Sequence, residues 1–510
     1  MKKLGDILSN ETLSKHNSSN NEKFANALVY DVCDDSRKVS EGSLFVAIGG
    51  NSTDGKKYIE DAISKGAKYI VLETDNHQYT EKYNDVLFIP VDNARHELAH
   101  ISSQFFESNL EDVIAVTGTN GKSSTVDIIR QIWARNNRKA ISIGTLGIVD
   151  KDGIRTKLSG TLTSPNPIEL HKILHSFSNY SYDLNSSYDK NNYKKLSVAI
   201  EASSHGIDQH RLDCLPFSVC AFTNFTQDHL DYHKTMDNYW HAKERLFSEL
   251  ASSKTKFVVN ADDTKSEKIA EIARARSIHC IEYGYEAKDI KIIDVIAKQS
   301  HQKIHASFFG KDISCALPLF GKFQVFNSLC AAASCYLTGI QLEKIIDALE
   351  HLNPINGRLE QVALIDNEKR IYVDYAHTPD ALKNAILSLR EHNPKRIITV
   401  FGCGGERDHQ KRPIMGEVAQ KFADIVIVTD DNPRGENPEE IRKMIIEGCP
   451  NGIEVDKRQN AIEYAIDMLQ DGDSLLIAGK GHEDYQQIGK EFFHFSDKEI
   501  ILNKVSKVSK

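Results

Sequence analysis

A bilayer-spanning segment is missing from this chain: no uninterrupted apolar run approaches the roughly 20 residues that a membrane helix needs. The amino terminus opens with the charge of a secretion signal, Met1-Lys2-Lys3, but Gly5-Asp6 and Ser9-Asn10-Glu11 interrupt any apolar core behind it. Paired cysteine is missing too. The nine thiols are scattered, with Cys33 and Cys403 far from any Cys-x-x-Cys partner, which argues against a disulfide framework or a zinc site. Positive charge is in deficit. A net charge of −9 argues against a general binder of nucleic acid or anionic membrane, while leaving room for a local basic pocket. These absences lead to the expectation of a soluble cytoplasmic protein with no nucleic-acid partner and no membrane insertion.

What is present is ordinary globular material, 40% hydrophobic and 26% charged. At 510 residues the chain is long for one core, and two to four domains are expected. The stretch that organises the rest is Val113-Ile-Ala-Val-Thr-Gly-Thr-Asn-Gly-Lys-Ser-Ser124. Its β-branched start reads as a buried strand, which breaks at a glycine turn. Ser123 then opens a helical pattern through Val126, Ile128, Ile129, Ile132 and Trp133. Strand, glycine turn, Lys-Ser and helix form a grip for a polyphosphate. Backbone N–H groups wrap the phosphates, Lys122 reaches the terminal ones, and the Ser123 hydroxyl suits Mg²⁺. The general pattern asks for glycine where this chain has Val116, so the loop is a variant built on Gly118, Thr119, Asn120 and Gly121.

In chain order, residues 1–97 read as a small α/β unit, with strands at Leu44–Ile48 and Tyr69–Leu72 and a helix between them. Asp35-Ser36-Arg37 falls in a loop before the first strand; it either caps a turn or offers Arg37 to a phosphate and Ser36 to a base or ribose. Residues 98–353 follow, with an Asn/Ser/Tyr-rich tract near 177–193 that has neither helical nor strand periodicity and reads as a surface insertion. Strands at Leu196–Ile200 and Cys220–Thr223 end in Glu201 and Asn224, where an α/β sheet places metal and nucleotide groups. Residues 354–510 alternate strand and helix again, which implies a parallel sheet covered on both faces. Polar clusters follow its strands at Asp374–His377, Gly402–Asp408, Asp430–Arg434 and Gly479–Glu483, all on the ligand-binding edge of such a sheet.

These segments together resemble the Mur ligase family, and within it the diaminopimelate-adding members. The likeness runs from Asp35-Ser-Arg37 and Leu44-Phe-Val-Ala47 through Thr117-Gly-Thr-Asn-Gly-Lys122, Glu201-Ala-Ser-Ser-His205 and Gln209-His-Arg211. It continues through Thr223-Asn224, Asp228-His-Leu-Asp-Tyr-His233, Lys243, Asn327, Gly357-Arg-Leu-Glu360 and Asp374-Tyr-Ala-His-Thr-Pro379 to Gly479-Lys-Gly-His-Glu483 and Phe495-Ser-Asp497. One such segment is weak; a dozen in order are specific. The resemblance implies an α/β protein of three domains: a small UDP-binding domain (1–97), a central P-loop ATPase domain with a mostly parallel sheet (98–353), and a Rossmann-like domain for the incoming amino acid (354–510).

It also implies an activity: an ATP-dependent amide ligase that adds meso-2,6-diaminopimelate to UDP-N-acetylmuramoyl-L-alanyl-D-glutamate through an acyl phosphate, in peptidoglycan precursor synthesis. By the same resemblance, Gly118 to Ser124 would bind ATP together with Asn224, Asn327, Arg358 and Asp374. Lys122, Glu201, His229 and Lys243 would be catalytic, and Ser123, Glu201, His229 and Lys243 would support Mg²⁺. Family members carry a lysine carbamylated by CO₂ at the place matching Lys243, and a carbamate turns that cation into an anion. Ser36, Arg37, Thr163, Ser164, Ser203, Gln209 and Arg211 would line the UDP-sugar-peptide arm. Arg407, Asp431, Asn432, Pro433, Arg434, Gly479 and Glu483 would bind the amino acid. The planar guanidinium of Arg434 suits the second carboxylate that distinguishes diaminopimelate from lysine. A monomer acting on small molecules is expected. The alternatives are a lysine-adding member and a non-catalytic scaffold; the latter would predict loss of the phosphate loop, Glu201, His229 or Lys243, and all four are present.

Overall fold

A computed structural model describes residues 1–15, 24–49, 54–73, 82–158, 163–179, 195–366 and 368–508. The chain divides into two compact units, Met1–Ile281 with Leu337–Gly339, and Glu282–Tyr336 with Ile340–Lys510.

The first unit begins with a parallel sheet of strands Asp31–Cys33, Ser43–Ala47, Tyr69–Leu72 and Leu87–Pro90, in sequence order. Leu44 and Val46 join one apolar cluster with Val71 and Ile89, while Phe45 and Ala47 join another with Ile70 and Phe88. Both faces are buried, which is why this strand reads as a continuous apolar run. A second sheet runs parallel in the order Lys139–Gly144, Leu196–Glu201, Leu110–Thr117, Val219–Phe222 and Lys256–Asn260. Its register sets Glu201 beside Val116 and Phe222 beside Thr117, so three strand ends meet where Gly118 begins. Phe177 to Asn179 close the helix Pro167–Asn179, so the expected insertion does not start at 177. Its remainder, 180–193, lies outside the described residues.

In the second unit the sheet order is Glu360–Ile365, Lys369–Asp374, Ser474–Ala478, Ile397–Phe401, Ile425–Val428 and Ile453–Glu454. All neighbours are parallel except the first pair. Separate apolar clusters cover its two faces. The three antiparallel strands Ile290–Ala297, Gln302–Phe308 and Lys311–Leu317 have no counterpart in the sequence reading. In the middle strand the buried positions are Gln302, Ile304, Ala306 and Phe308, and a buried glutamine and alanine weaken the alternating signal.

One polar knot ties the first unit's two sheets together. Asp213, 1% exposed, accepts from His96 Nδ1 (2.9 Å), His210 Nδ1 (2.7 Å) and Arg245 Nη1 and Nη2 (2.9 and 2.7 Å). His96 belongs to the helix Ala94–Phe105 that packs on the N-terminal sheet, and Asn93 at its cap meets His210 Nε2 at 3.1 Å. Burial alone would raise the Asp213 carboxyl, but its imidazole and guanidinium partners hold it far below the usual range. Its hydrogen bond to Asp213 raises the His96 imidazole.

Removing this carboxylate leaves the Arg245 guanidinium with the exposed Glu249 carboxylate and the Ile207 carbonyl as partners, so Asp213→Ala should destabilise the first unit by roughly 2 kcal/mol, read as a lower onset of thermal unfolding. The raised His96 contributes stability below its ordinary titration range that is lost as pH rises through its folded value. The gap in unfolding temperature between the parent and His96→Gln should therefore narrow from pH 6 to pH 8; a gap that widens would contradict the assignment.

Candidate active site

The loop after Leu110–Thr117 comes so close to the next strand end that only glycine fits at its start. Gly118 has φ +146°, and a Cβ there would lie 2.0 Å from Thr223 Oγ1. Asn224 then pins the loop: its carbonyl accepts from Thr119 N (2.8 Å), its Oδ1 accepts from Asn120 N (2.9 Å), and its Nδ2 donates to Asn120 O (3.1 Å). Gly121 at φ +86° turns the chain into the helix Lys122–Arg135, which begins one residue earlier than the sequence pattern suggests, with Ser123 and Ser124 buried in its first turn. Tyr239 adds a hydroxyl contact to Thr119 at 3.2 Å.

Two lysines converge on one carbonyl. Lys122 Nζ donates to Gly118 O (2.9 Å) and Thr119 O (2.7 Å), and Lys243 Nζ donates to Gly118 O at 2.7 Å. Lys243 lies on the helix Met236–Arg245, is 1% exposed, and sits 4.6 Å over the Tyr239 ring. Burial first, then the charge of Lys122, pushes its ammonium well below the ordinary lysine range. His229 holds a left-handed backbone (φ +53°) at the start of a short helix, 4.8 Å from the His205 ring. Burial pushes its imidazole down to about 4, with Asp228 opposing and His205, Lys122 and Lys243 assisting, so it is neutral at physiological pH.

Glu201 is 1% exposed, and among the described residues no lysine, arginine or histidine forms an ion pair with it. Its Oε1 accepts from Thr145 N (2.8 Å) and its Oε2 from the Thr145 hydroxyl (3.2 Å). Gly144 makes room for it, since a Cβ there would be 2.2 Å from Oε1. A buried carboxylate with no ion-pair partner among the described residues suits a hard divalent cation. By contrast, in the group His96, His210 and Asp213, whose ligand atoms lie within 4.8 Å of one another, Asp213 already has the Arg245 guanidinium as its cation.

The expected UDP-sugar-peptide residues divide. Thr163 lies 3.5 Å from the Thr145 hydroxyl, and Ser164 Oγ donates to Glu201 O (3.0 Å) and meets Ser203 Oγ (2.9 Å). Arg211 donates to Ser164 O (2.9 Å) and Gln209 Oε1 (2.6 Å), and Gln209 donates to the Tyr232 hydroxyl (3.1 Å). These five form one network that reaches Glu201. Ser36 and Arg37 stand apart from it. Asp35 caps their turn and binds the Arg37 guanidinium (2.9 and 2.8 Å), while Ser36 is buried. The turn is capped, and the Arg37 side chain is still 84% exposed.

The second unit brings its own residues together. Asp374, at the end of Lys369–Asp374, accepts from Leu359 N (2.6 Å) and Ala376 N (2.8 Å); burial lifts its carboxyl to about 6, opposed by the Arg358 guanidinium. Arg358 lies 4.7 Å over the Tyr375 ring. Asn327 donates to Gln324 (3.0 Å), whose amide donates to Arg358 O (3.2 Å). Beside them, Asn432 Nδ2 donates to Glu483 Oε2 (3.1 Å), Arg434 donates to Gly405 O (2.8 Å), and Gly479 N donates to Asp374 O (3.1 Å). Asp431 accepts from Asn432 N (2.6 Å), and the buried Pro433 accepts through its carbonyl from Glu436 N (3.0 Å). Arg407 is exposed, and among the described residues it makes no hydrogen bond to this cluster. The sequence reading missed Thr145, Tyr239 and Lys480. Lys480 lies within the Gly479–Glu483 cluster but was given no role there; contacts with Glu201, Thr119 and Asn432 bring the three residues in.

Three family models match in succession: the Mur ligase family catalytic domain at residues 29–106, the Mur ligase middle domain at 116–335, and the Mur ligase glutamate ligase domain at 357–481. The chain belongs to the Mur ligase family. It is 40% identical over 467 residues to the UDP-N-acetylmuramoyl-L-alanyl-D-glutamate–2,6-diaminopimelate ligase of Chelativorans sp. (strain BNC1), covering 92% of each chain. It is 41% identical to the ligase of the same name from Bradyrhizobium diazoefficiens, covering 92% of this chain and 93% of the relative. A solved structure of a ligase with that name superimposes with a TM-score of 0.70 at 27% identity, covering 100% of this chain and 99% of the other. This Mur ligase therefore has the three-domain α/β fold that its sequence implied, and it is an ATP-dependent, amide-forming enzyme of that family.

Substituting Gly118→Ala drives a methyl into Thr223 on a backbone conformation that favours glycine, so it should weaken nucleotide binding by on the order of 100-fold and lower the unfolding temperature as well. Isothermal titration with ADP and Mg²⁺ checks this; unchanged affinity would contradict the loop geometry.

Proposed function

We propose that this Mur ligase joins meso-2,6-diaminopimelate to the D-glutamyl carboxylate of UDP-N-acetylmuramoyl-L-alanyl-D-glutamate, with ATP converted to ADP and phosphate, as a cytoplasmic monomer with domain limits near 97 and 353. The observation that carries the choice of amino acid is the cluster around Asn432. There Glu483 Oε2 accepts from Asn432 Nδ2 (3.1 Å), Gln487 N donates to Asn432 Oδ1 (2.9 Å) and Arg434 N donates to Gln487 O (3.2 Å), in a chain whose relatives bear the diaminopimelate-ligase name. A guanidinium and a carboxylate in one such cluster match an amino acid with an ammonium and a second carboxylate at its far end.

The substrate carboxylate is a poor acyl acceptor and repels the γ-phosphate. Bound Mg²⁺ would supply charge neutralisation, held by Ser123, Glu201 and His229, with Lys243 as its carbamate. Lys122 swings from the Gly118 and Thr119 carbonyls to the terminal phosphates, and the loop amides orient them. The carboxylate oxygen attacks phosphorus and ADP leaves; the amine then attacks the acyl carbon, loses a proton, and phosphate departs from a tetrahedral intermediate. Ser164, Ser203, Gln209 and Arg211 hold the peptide arm, and Ser36 and Arg37 the uridine end. The low proton affinity of Lys243 supports carbamylation, because CO₂ reacts with the neutral amine, forming an N–C bond and releasing a proton. The product anion also removes one of two like charges at the Gly118 carbonyl.

Purified protein with ATP, Mg²⁺ and UDP-N-acetylmuramoyl-L-alanyl-D-glutamate should release ADP with diaminopimelate and not with L-lysine, product mass being the readout. Turnover with lysine would keep the ligase and sink the role of Arg434. Arg434→Ala should raise KM for diaminopimelate on the order of 10- to 100-fold with KM for ATP little changed. Lys243→Ala should lose activity that a short carboxylate partly restores; an active, unresponsive variant would remove the carbamate from the mechanism.

A further inference from the structure

The turn Gly479-Lys480-Gly481-His482-Glu483 buries a cation for which the mechanism above has no use. Lys480 is 0% exposed. Its Nζ donates to Asn432 Oδ1 and to Glu483 Oε2, each at 3.1 Å, and lies 5.3 Å from the centre of the Tyr485 ring. An ammonium offers donors only, so the Asn432 atom that faces it has to be the amide oxygen. Gln487 N donates to the same oxygen at 2.9 Å. Two donors on one atom fix the amide's orientation and turn Nδ2 toward Glu483 Oε2, which it meets at 3.1 Å. Lys480 and Asn432 therefore both engage Oε2. Among the described residues Oε1 accepts no hydrogen bond, so one carboxylate oxygen is committed to the protein and the other is left for a ligand.

Charge follows the same pattern. Glu483 is faced by Lys480 on its own turn, Asp431 after Ile425–Val428, Arg458 on the helix Arg458–Asp467, Tyr375 after Lys369–Asp374, and Tyr485 on the strand Tyr485–Ile488. Burial pushes the Glu483 carboxyl up, the Lys480 ammonium pulls it back, and Asp431 opposes that pull.

We propose that Lys480 is a positioning residue for the amino-acid substrate, setting the Asn432 amide and holding Glu483 as an oriented anion whose Oε1 receives the substrate's ammonium group. This rests on the amino-acid role given to that cluster under the proposed function.

The test is steady-state kinetics of the full chain with diaminopimelate varied at saturating ATP and UDP-N-acetylmuramoyl-L-alanyl-D-glutamate. Lys480→Met should raise KM for diaminopimelate about tenfold or more, with kcat and KM for ATP within about twofold. In that variant KM should climb further as pH falls from 8.5 to 6.5, because Glu483 without its cation takes up a proton at higher pH than in the parent. Placed on a Glu483→Gln background, Lys480→Met should cost clearly less than in the parent, since the anion it holds is gone and Gln487 N still bonds the Asn432 oxygen. If Lys480→Met does not fold, Lys480→Gln keeps a donor for the Asn432 oxygen without the charge, and the same pH-dependent rise is expected. An unchanged KM for diaminopimelate, an equal loss in kcat and in KM for ATP, or full additivity with Glu483→Gln would each overturn the proposal. A parent that turns over neither diaminopimelate nor lysine would instead overturn the functional reading, and this inference with it.

Discussion

Two lysine side-chain nitrogens share the carbonyl oxygen of Gly118, and the chemistry of the first unit depends on that contact. Glycine is required there because the residue presses against Thr223 and Asn224, where a side chain would collide. Two like charges at one buried oxygen repel. Burial has already tipped Lys243 toward the neutral amine, and Lys122 adds to that push. Such a place favours whatever brings negative charge to it, a polyphosphate or a modified lysine. The loop is thus more than a cradle of amides: its electrostatic imbalance prepares it for the ligand.

Glu201 holds the opposite imbalance. Its strand is in register with the phosphate-loop strand, so a buried carboxylate that has no basic partner among the described residues stands beside Val116 at the same sheet edge. Thr145 orients it with two hydrogen bonds, and Ser164 ties the peptide-arm network to the Glu201 backbone. Unpaired buried charge is costly to folding, so its presence at a strand end calls for a cation supplied from outside the chain. Positive and negative excesses at neighbouring strand ends match a metal–phosphate pair better than either matches the protein alone.

The second unit solves a related problem with internal charges. Its irregular loops leave parallel strands at the same edge, and the polar groups there bond to one another: Lys480 to Glu483 and Asn432, Arg434 to a loop carbonyl, Asp374 to two backbone amides. The hairpin Tyr485–Ile488 with Glu491–His494 is stitched to this cluster through Gln486, which donates to Asp431 O, and Gln487, which donates to Asn432. Fixed partners reduce the reorganisation that binding would otherwise demand.

The strands around Val113, Leu196, Ile425 and Ser474, and the helix that follows the first, were legible because apolar periodicity and turn chemistry are local properties. So was the phosphate loop, and so, through family likeness, were the acidic and basic residues at the strand ends. The antiparallel strand Gln302–Phe308 was not, because glutamine and alanine hold its inward positions. Nor could the chain foretell that Thr145 would meet Glu201 across 56 residues, that Lys480 would meet Asn432 across 48, or that the Asp35 turn would stand apart from the peptide-arm network. The sequence by itself determined which elements form and which residue types stand at their ends. Only the tertiary structure decided which of those groups become partners and which are left uncompensated, because strand register and loop packing join residues far apart in the chain, and a buried charge is defined by its neighbours.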